Sequence, residues 1–209
     1  MSQPLGRYAE LLLEWNRAVN LTGARTLEEI RKQIDNSSLL LAIAWEGGKR
    51  VVDIGSGGGL PAIPLALAFP EVSFSLLEAN ARKCAFLRHA AGTLGLANVA
   101  ILEGRAEELA RQAQFRERFD RAISRAAAAP TVLLELALPF VEPGGELIAQ
   151  VSQVDPHLLQ SAAAILGGGV PRIEHPVPGR GALLLVPKLA PTPPEYPRRV
   201  GVPSRKPLA

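Results

Sequence analysis

Apolar and polar positions along the chain change period near residue 50. Before it, Tyr8, Leu11, Leu12, Trp15 and Val19 recur at helical spacing, with Glu10, Glu14 and Arg17 on the opposite side. That is the pattern of an amphipathic helix docked on a body. Gly23 is a plausible stop for it, and Thr26 with Glu29 three residues later reads as the capping box of a second helix. Ile30, Ile34, Leu39 and Leu40 carry that helix to about Trp45, before Gly47-Gly48. After residue 50, short apolar runs alternate with helical stretches. Strands are predicted at 50–54, 72–77, 98–102, 119–124 and 145–151, and helices at 61–69, 81–95, 106–114 and 131–140. This order predicts an α/β fold, a mainly parallel sheet with helices on both faces. Pro143-Gly144-Gly145 predicts a tight turn into the fifth strand. A helix from Pro156 to Leu166 is expected to stop at Gly167-Gly168-Gly169, and Arg172 to Val177 with Ala182 to Val186 are predicted to finish the sheet as a hairpin.

The first strand, Val51-Val52-Asp53-Ile54, runs into Gly55-Ser56-Gly57-Gly58-Gly59-Leu60-Pro61, after which Ile63, Leu65, Ala66 and Leu67 form the apolar positions of a helix. A strand, a turn without side chains and a helix start make a nucleotide-type site, because backbone N–H groups point outward and a ligand can approach closely. Taken alone, the glycines also suit a plain βα turn. Glu78, at the end of the second strand, adds an acid roughly 20 residues downstream, where a carboxylate meets the ribose hydroxyls of a bound nucleoside. Dinucleotide sites usually read Gly-x-Gly-x-x-Gly. Here the spacing is Gly55-x-Gly57-x-Gly59 with Asp53 before it, which resembles the first motif of S-adenosylmethionine-dependent methyltransferases.

Ligands of an open α/β sheet bind beyond the carboxyl ends of the strands. Those ends are Gly55 to Leu60, Glu78-Ala79-Asn80, Glu103 to Glu107 and Ser124-Arg125-Ala126, so one cleft is expected among them. Glu78 would hold the ribose, the backbone at Ala106 and Glu107 would lie against the adenine, and Arg125 would stand near the reacting end. The expected cofactor residues are thus Gly55, Gly57, Gly59, Leu60, Glu78, Ala79, Asn80, Ala106, Glu107 and Arg125. Acids also favour a helix start for their own sake, which leaves a structural role for Glu107 as the alternative.

A length of 209 residues suits one well-buried domain. There is no uncharged apolar run of ~18 residues and no signal pattern, so a cytoplasmic protein is expected. Cys84 is alone, and His89, His157 and His175 show no ligand spacing; no metal is assigned. The net charge of +3 resides in the tail. From Lys188 onward Lys188, Arg198, Arg199, Arg205 and Lys206 face one acid, Glu195. A positive patch on a near-neutral body suggests an anionic macromolecular partner, with solvated charge as the bland alternative. Pro191, Pro193, Pro194, Pro197, Pro203 and Pro207 predict an extended arm, not a regular helix, presenting Arg198 and Arg199 to phosphates.

Together these residues resemble the bacterial small-subunit ribosomal RNA guanine-N7 methyltransferases, the glucose-inhibited division protein B family. The landmarks are Trp15-Asn16, Asn20-Leu21-Thr22, the turn from Asp53 to Pro61 with Ile63-Pro64-Leu65, Arg105-Ala106-Glu107, Ser124-Arg125-Ala126, and Tyr196-Pro197-Arg198-Arg199 with Gly201 and Pro203. The resemblance implies a Rossmann-like methyltransferase fold, S-adenosyl-L-methionine as cofactor and small-subunit ribosomal RNA or the 30S particle as partner. It implies a helical cap over 1–48, a methyltransferase domain over 49–189 and a basic arm over 190–209. Asn20, Arg125, Lys188, Arg198 and Arg199 are the expected substrate contacts. No catalytic residue is assigned, since guanine N7 carries a free lone pair and needs no general base. The chain departs from the family pattern at Gln33, Asn36, Ala62, Val151-Ser152 and Gly181-Ala182, with Arg180 one position early. All but Ala62 fall on the substrate side, so the alternative is a non-catalytic relative that binds ribosomal RNA or the ribosome.

Overall fold

Five apolar runs become the parallel strands β1 (Arg50–Ile54), β2 (Ser73–Glu78), β3 (Val99–Glu103), β4 (Phe119–Arg125) and β5 (Val141–Val151) in a computed structural model of the chain, which describes residues 2–43, 45 and 49–208. The strands β6 (Arg172–Glu174) and β7 (Ala182–Pro187) close the sheet antiparallel, in the order β3-β2-β1-β4-β5-β7-β6. The terminal hairpin is therefore present, with a first strand shorter than predicted.

Helices cover both faces. Val51, Leu76, Ile123 and Ile148 join one apolar cluster with Tyr8, Leu11 and Leu12 of α1 (Gln3–Val19), Ile30 of α2 (Leu27–Ser37), Ile63 of α3 (Ala62–Ala68) and Phe86 of α4 (Ala81–Leu94). Val52, Ile54, Ala122 and Leu147 face the other way, toward Ala106 of α5 (Ala106–Leu109), Leu133 of α6 (Pro130–Ala137) and Ala162 of α7 (Gln160–Ile165). Successive strand residues point to opposite faces, and burial on both faces is what makes these runs continuously apolar. Asp53 breaks the rule, since it shares a face with Val51 and is 1% exposed.

Several boundaries differ from the sequence expectation. The second helix ends at Ser37 and tightens into a 3-10 turn at Ser38–Ala42. The Ser37 hydroxyl donates to Gln33 O at 2.9 Å, and the Trp45 indole donates to Leu40 O at 2.7 Å, which turns the chain aside. Gly47-Gly48 lies outside the described residues. The helix expected over 106–114 is the single turn α5, because 111–118 presents no apolar face and Arg116 reaches back to Ala110 O at 3.4 Å. Pro143-Gly144-Gly145 sits inside β5 as a bulge, where the register steps from Phe119↔Val141 to Arg121↔Glu146. The tail holds one helical turn, α8 (Val202–Arg205), with Pro203 in its first turn where a missing N–H is harmless.

Candidate functional site

The turn after β1 is built by close approach. Gly55 and Gly59 have φ of +71° and +86°, and a Cβ there would stand 2.7 Å from Ala127 Cβ and 2.5 Å from Ile63 Cδ1. Gly55 N and Ser56 N donate to Leu77 O at 2.9 and 3.0 Å, tying the turn to β2. Helix α1 docks on it through the Tyr8 hydroxyl, which donates to Gly58 O at 2.5 Å. Burial drives the Tyr8 phenol well above the ordinary tyrosine range, so it stays a donor. Buried Asn16 holds the following loop: its amide donates to Thr22 O and Ala24 O (3.0 and 2.7 Å), and its oxygen accepts from Leu21 N and Thr22 N (2.6 and 2.9 Å).

Beside the turn opens a cavity of about 310 Å³ walled by Gly55, Gly57, Glu78, Ala79, Ala106 and Glu107. Glu78, 9% exposed, accepts Gly57 N at 3.0 Å and Asn80 N at 2.8 Å. Its carboxylate thus fixes the turn and stands at the cavity wall. Leu60 and Arg125 line the adjoining cleft instead. Gly59 and Asn80 line neither space. Gly59 is a packing residue against Ile63 and Leu87, and Asn80 caps α4, its oxygen accepting from Arg82 N and Lys83 N at 2.9 and 3.3 Å.

Two further clefts, of about 480 and 590 Å³, continue from this cavity under α2. The first shares Gly55, Gly57, Lys83 and Ala126 with it, and the two clefts share Asn36, Arg125, Ala126 and Gln150. Ala126 stands at the junction in the left-handed region, φ +55°, a conformation that tends to concentrate at functional sites. The Arg125 guanidinium donates to Gln33 O and Ser37 Oγ, both at 3.0 Å, and so fixes α2 over β4; burial lowers its pKa, against the pull of Tyr8 and Asp53. The Gln150 amide donates to Asn36 O at 3.1 Å, and its oxygen is buried without a partner. Since a carbonyl only accepts, the amide faces Asn36 and the bare oxygen faces away.

Asp53 is the strongest electrostatic feature of the site. Neither carboxylate oxygen has a hydrogen-bond partner, although both are buried. Burial pushes the acid up to about 7, against the opposing Ser56 hydroxyl and Arg125 and with a further push from Glu78. An orphaned buried anion beneath a bare glycine turn fits a cationic ligand, and S-adenosylmethionine carries an ammonium and a sulfonium. The Glu78 carboxylate at the wall fits its ribose.

The expected substrate residues are scattered. Asn20 caps α1 in the left-handed conformation (φ +53°), exposed and outside the clefts. Lys188 is fully buried: its ammonium donates to Glu117 Oε1 (3.1 Å), Leu138 O (2.9 Å), Val141 O (3.1 Å) and Thr192 Oγ1 (2.8 Å). It is enclosed, which corrects its expected place on an RNA-facing surface. Arg198 is also taken, gripping Glu135, whose side chain is 1% exposed, through Nε at 2.9 Å and Nη2 at 2.5 Å. Arg199 alone of the pair is exposed with no side-chain partner among the described residues.

Lys83 and Gln150 line the clefts without having been expected from the sequence. Lys83 carried a signal, as the first-turn cation after the Glu78 strand end, whereas Gln150 differs in no visible way from other strand-end polar residues. Among the described residues no helix is long and apolar enough to cross a membrane, and no group of three or more His, Cys, Asp or Glu side chains is placed to hold a metal ion.

Comparison with known proteins adds a family. Residues 1–162 match the family model GidB, described as rRNA small subunit methyltransferase G. A ribosomal RNA small subunit methyltransferase G from Deinococcus deserti is 44% identical over 207 residues, covering 95% of this chain and 85% of that one. Among solved structures, a SAM-dependent methyltransferase from Aquifex aeolicus superposes with a TM-score of 0.58 at 15% identity, over 74% of this chain and 89% of that one. The 16S rRNA N2 G1207 methyltransferase of T. thermophilus, in complex with AdoMet and guanosine, gives 0.53 at 18% identity, over 77% of this chain and 40% of that one. At such identities the structures speak for the fold alone.

Proposed function

The chain belongs to the GidB family of rRNA small subunit methyltransferases G, and from that premise we propose that it transfers a methyl group from S-adenosylmethionine to guanine N7 of small-subunit ribosomal RNA. The observation that supports this most directly is the shared wall: the cavity holding Glu78 continues through Gly55, Gly57, Lys83 and Ala126 into the clefts under α2. A cofactor held on one side would lie next to a base held on the other.

Bound S-adenosylmethionine supplies an electrophilic methyl on a sulfonium. Glu78 would receive the ribose hydroxyls, Ala106 and Glu107 would lie along the adenine, and Asp53 would supply a negative field to the cationic end. Guanine N7 would accept that methyl with its free lone pair. No proton moves in this step, so the site needs no general base. Its work is alignment, and holding the reacting atoms ~3–3.5 Å apart and in line lowers a barrier by ~7–11 kcal/mol.

Glu78→Ala removes both the ribose acceptor and the support of Gly57. It is expected to weaken S-adenosylmethionine by about 1.5–3 kcal/mol, the range for hydrogen bonds to a charged group. Calorimetric titration checks it, and equal affinity in the two proteins would remove Glu78 from the cofactor site.

A second reading has its own support: Gln33, Asn36, Val151, Ser152, Arg180 and Gly181, six of the departures from the family pattern, border the two clefts, and Ala62 and Ala182 do not. A protein that keeps the cofactor side and binds RNA without transfer would have changed there. The test is incorporation of labelled methyl groups into small-subunit RNA, free and within 30S particles, followed by mass spectrometry of the digested RNA. We expect 7-methylguanosine. Binding of RNA and cofactor without incorporation would establish the non-catalytic reading, and the two substrate forms decide whether the particle is the partner.

A further inference from the structure

The C-terminal segment 192–206 is laid on the body as a strap, held at its near end by two arginines. Arg116 donates to Thr192 O (2.7 Å), Pro193 O (3.1 Å) and Tyr196 O (2.9 Å), and Arg111 to Glu195 O (2.8 Å) and Pro197 O (2.5 Å). Prolines lack an N–H, so a proline-rich segment has more carbonyls than main-chain donors, and the guanidinium groups satisfy several of them. Beyond Pro197 the strap reaches two buried carboxylates. Glu135 of α6 accepts Arg198 N at 2.7 Å besides the guanidinium, and Glu107 of α5 accepts Gly201 N at 3.0 Å. Arg198 is itself fastened to Lys206 O at 2.8 Å.

Both of those elements border the cofactor cavity. Ala106 and Glu107 of α5 form part of its wall, and Leu136 of α6, next to Glu135, forms another. No strap residue lines the cavity. α5 has only four residues and cannot hold itself in place by its own hydrogen bonds. We propose that the strap is a positioning device for the cofactor: by gripping Glu107 and Glu135 together through Gly201 and Arg198, it fixes α5 against α6 and so sets the adenine side of the cavity. The assignment of that cavity to the cofactor rests on the function proposed above. Arg198 and Gly201 act through Glu107 and Glu135 and touch no ligand.

The experiment uses the full-length chain with Arg198→Ala, and Arg198→Lys as the conservative partner that keeps the charge but loses the two-pronged grip. Two readouts are taken well below the unfolding temperature. Hydrogen exchange without ligand is expected to accelerate at amides 106–110 in Arg198→Ala, while the β1 and β4 amides keep wild-type protection. The S-adenosylmethionine Kd is expected to rise by about tenfold, as it would if the wall were in place a tenth of the time, with Arg198→Lys intermediate in both. A structural role alone would lower the unfolding temperature and leave the Kd of the folded protein unchanged. Unaltered exchange across 106–110, or an unaltered Kd, overturns the proposal. If the wild-type protein takes no S-adenosylmethionine, the functional reading fails, and the exchange measurement still decides whether the strap orders α5. Should Arg198→Ala not fold, Glu135→Gln, which weakens the same grip, is read in the same two ways.

Discussion

Replacing Asp53 with asparagine is expected to remove a pH dependence from the stability of the ligand-free protein and to weaken the cofactor. Burial penalises the charged form of this acid and pushes it up to about 7 from an ordinary 3.8. A carboxyl whose folded pKa is raised binds its proton more tightly in the folded state, so stability falls as pH rises from about 4 to about 7 and stays lower above that. At about 1.36 kcal/mol per pH unit the full loss is on the order of 4 kcal/mol. The asparagine side chain of Asp53→Asn has no charge to desolvate, and part of the gain is offset by unmet amide hydrogen bonds, about 1–3 kcal/mol. Urea midpoints from pH 4 to pH 8 should therefore drop more for the wild type than for Asp53→Asn. A cationic ligand favours the ionised acid, so wild-type affinity for S-adenosylmethionine should increase with pH up to about 7 and that of the mutant should not. Parallel stability curves would mean that the Asp53 carboxylate is not the buried acid described here.

The second large effect is on stability alone. Lys188→Met is expected to destabilise the fold by about 3–5 kcal/mol, the cost of removing one partner of a buried ion pair. Three ammonium hydrogens serve four acceptors around Lys188, two of them main-chain carbonyls near the β5 start. Methionine fills the space and satisfies none of them, leaving the Glu117 carboxylate with Thr192 N as its remaining donor. At roughly 2–4 °C per kcal/mol for a chain of this size, the unfolding midpoint should fall by about 6–20 °C in calorimetry. A shift of a degree or two would place Lys188 at the surface and return it to the RNA-facing set.

The sheet was legible because its central parallel strands are buried on both faces and leave apolar runs, while the edge strand β3 is only half-buried. The turn and Glu78 were legible because bare backbone and a strand-end acid are local signals. The tail was not. Two of its three basic candidates, Lys188 and Arg198, are paired with Glu117 and Glu135, which lie 71 and 63 residues away in sequence. No local pattern distinguishes a lysine that will be enclosed from one that will meet a phosphate. The same distance hid the shortness of α5, since Arg111, inside the helix expected over 106–114, and Arg116, just beyond it, spend their hydrogens on strap carbonyls 76 to 86 residues on. Asp53 could be read as part of a motif, but its missing partners emerge only once α1 and β4 have closed over it.

The strap also has a place in time. Ribosomes make the chain from its first residue onward, so the seven strands are complete while Arg198 and Gly201 are still to be added. A chain interrupted between Pro187 and Gly201 carries every residue of the sheet, the glycine turn and Glu78, yet leaves Glu107 without its Gly201 N–H and Glu135 without its guanidinium. Under the proposed role of the strap, such a chain would keep its core yet lack the two contacts that fix α5 against α6.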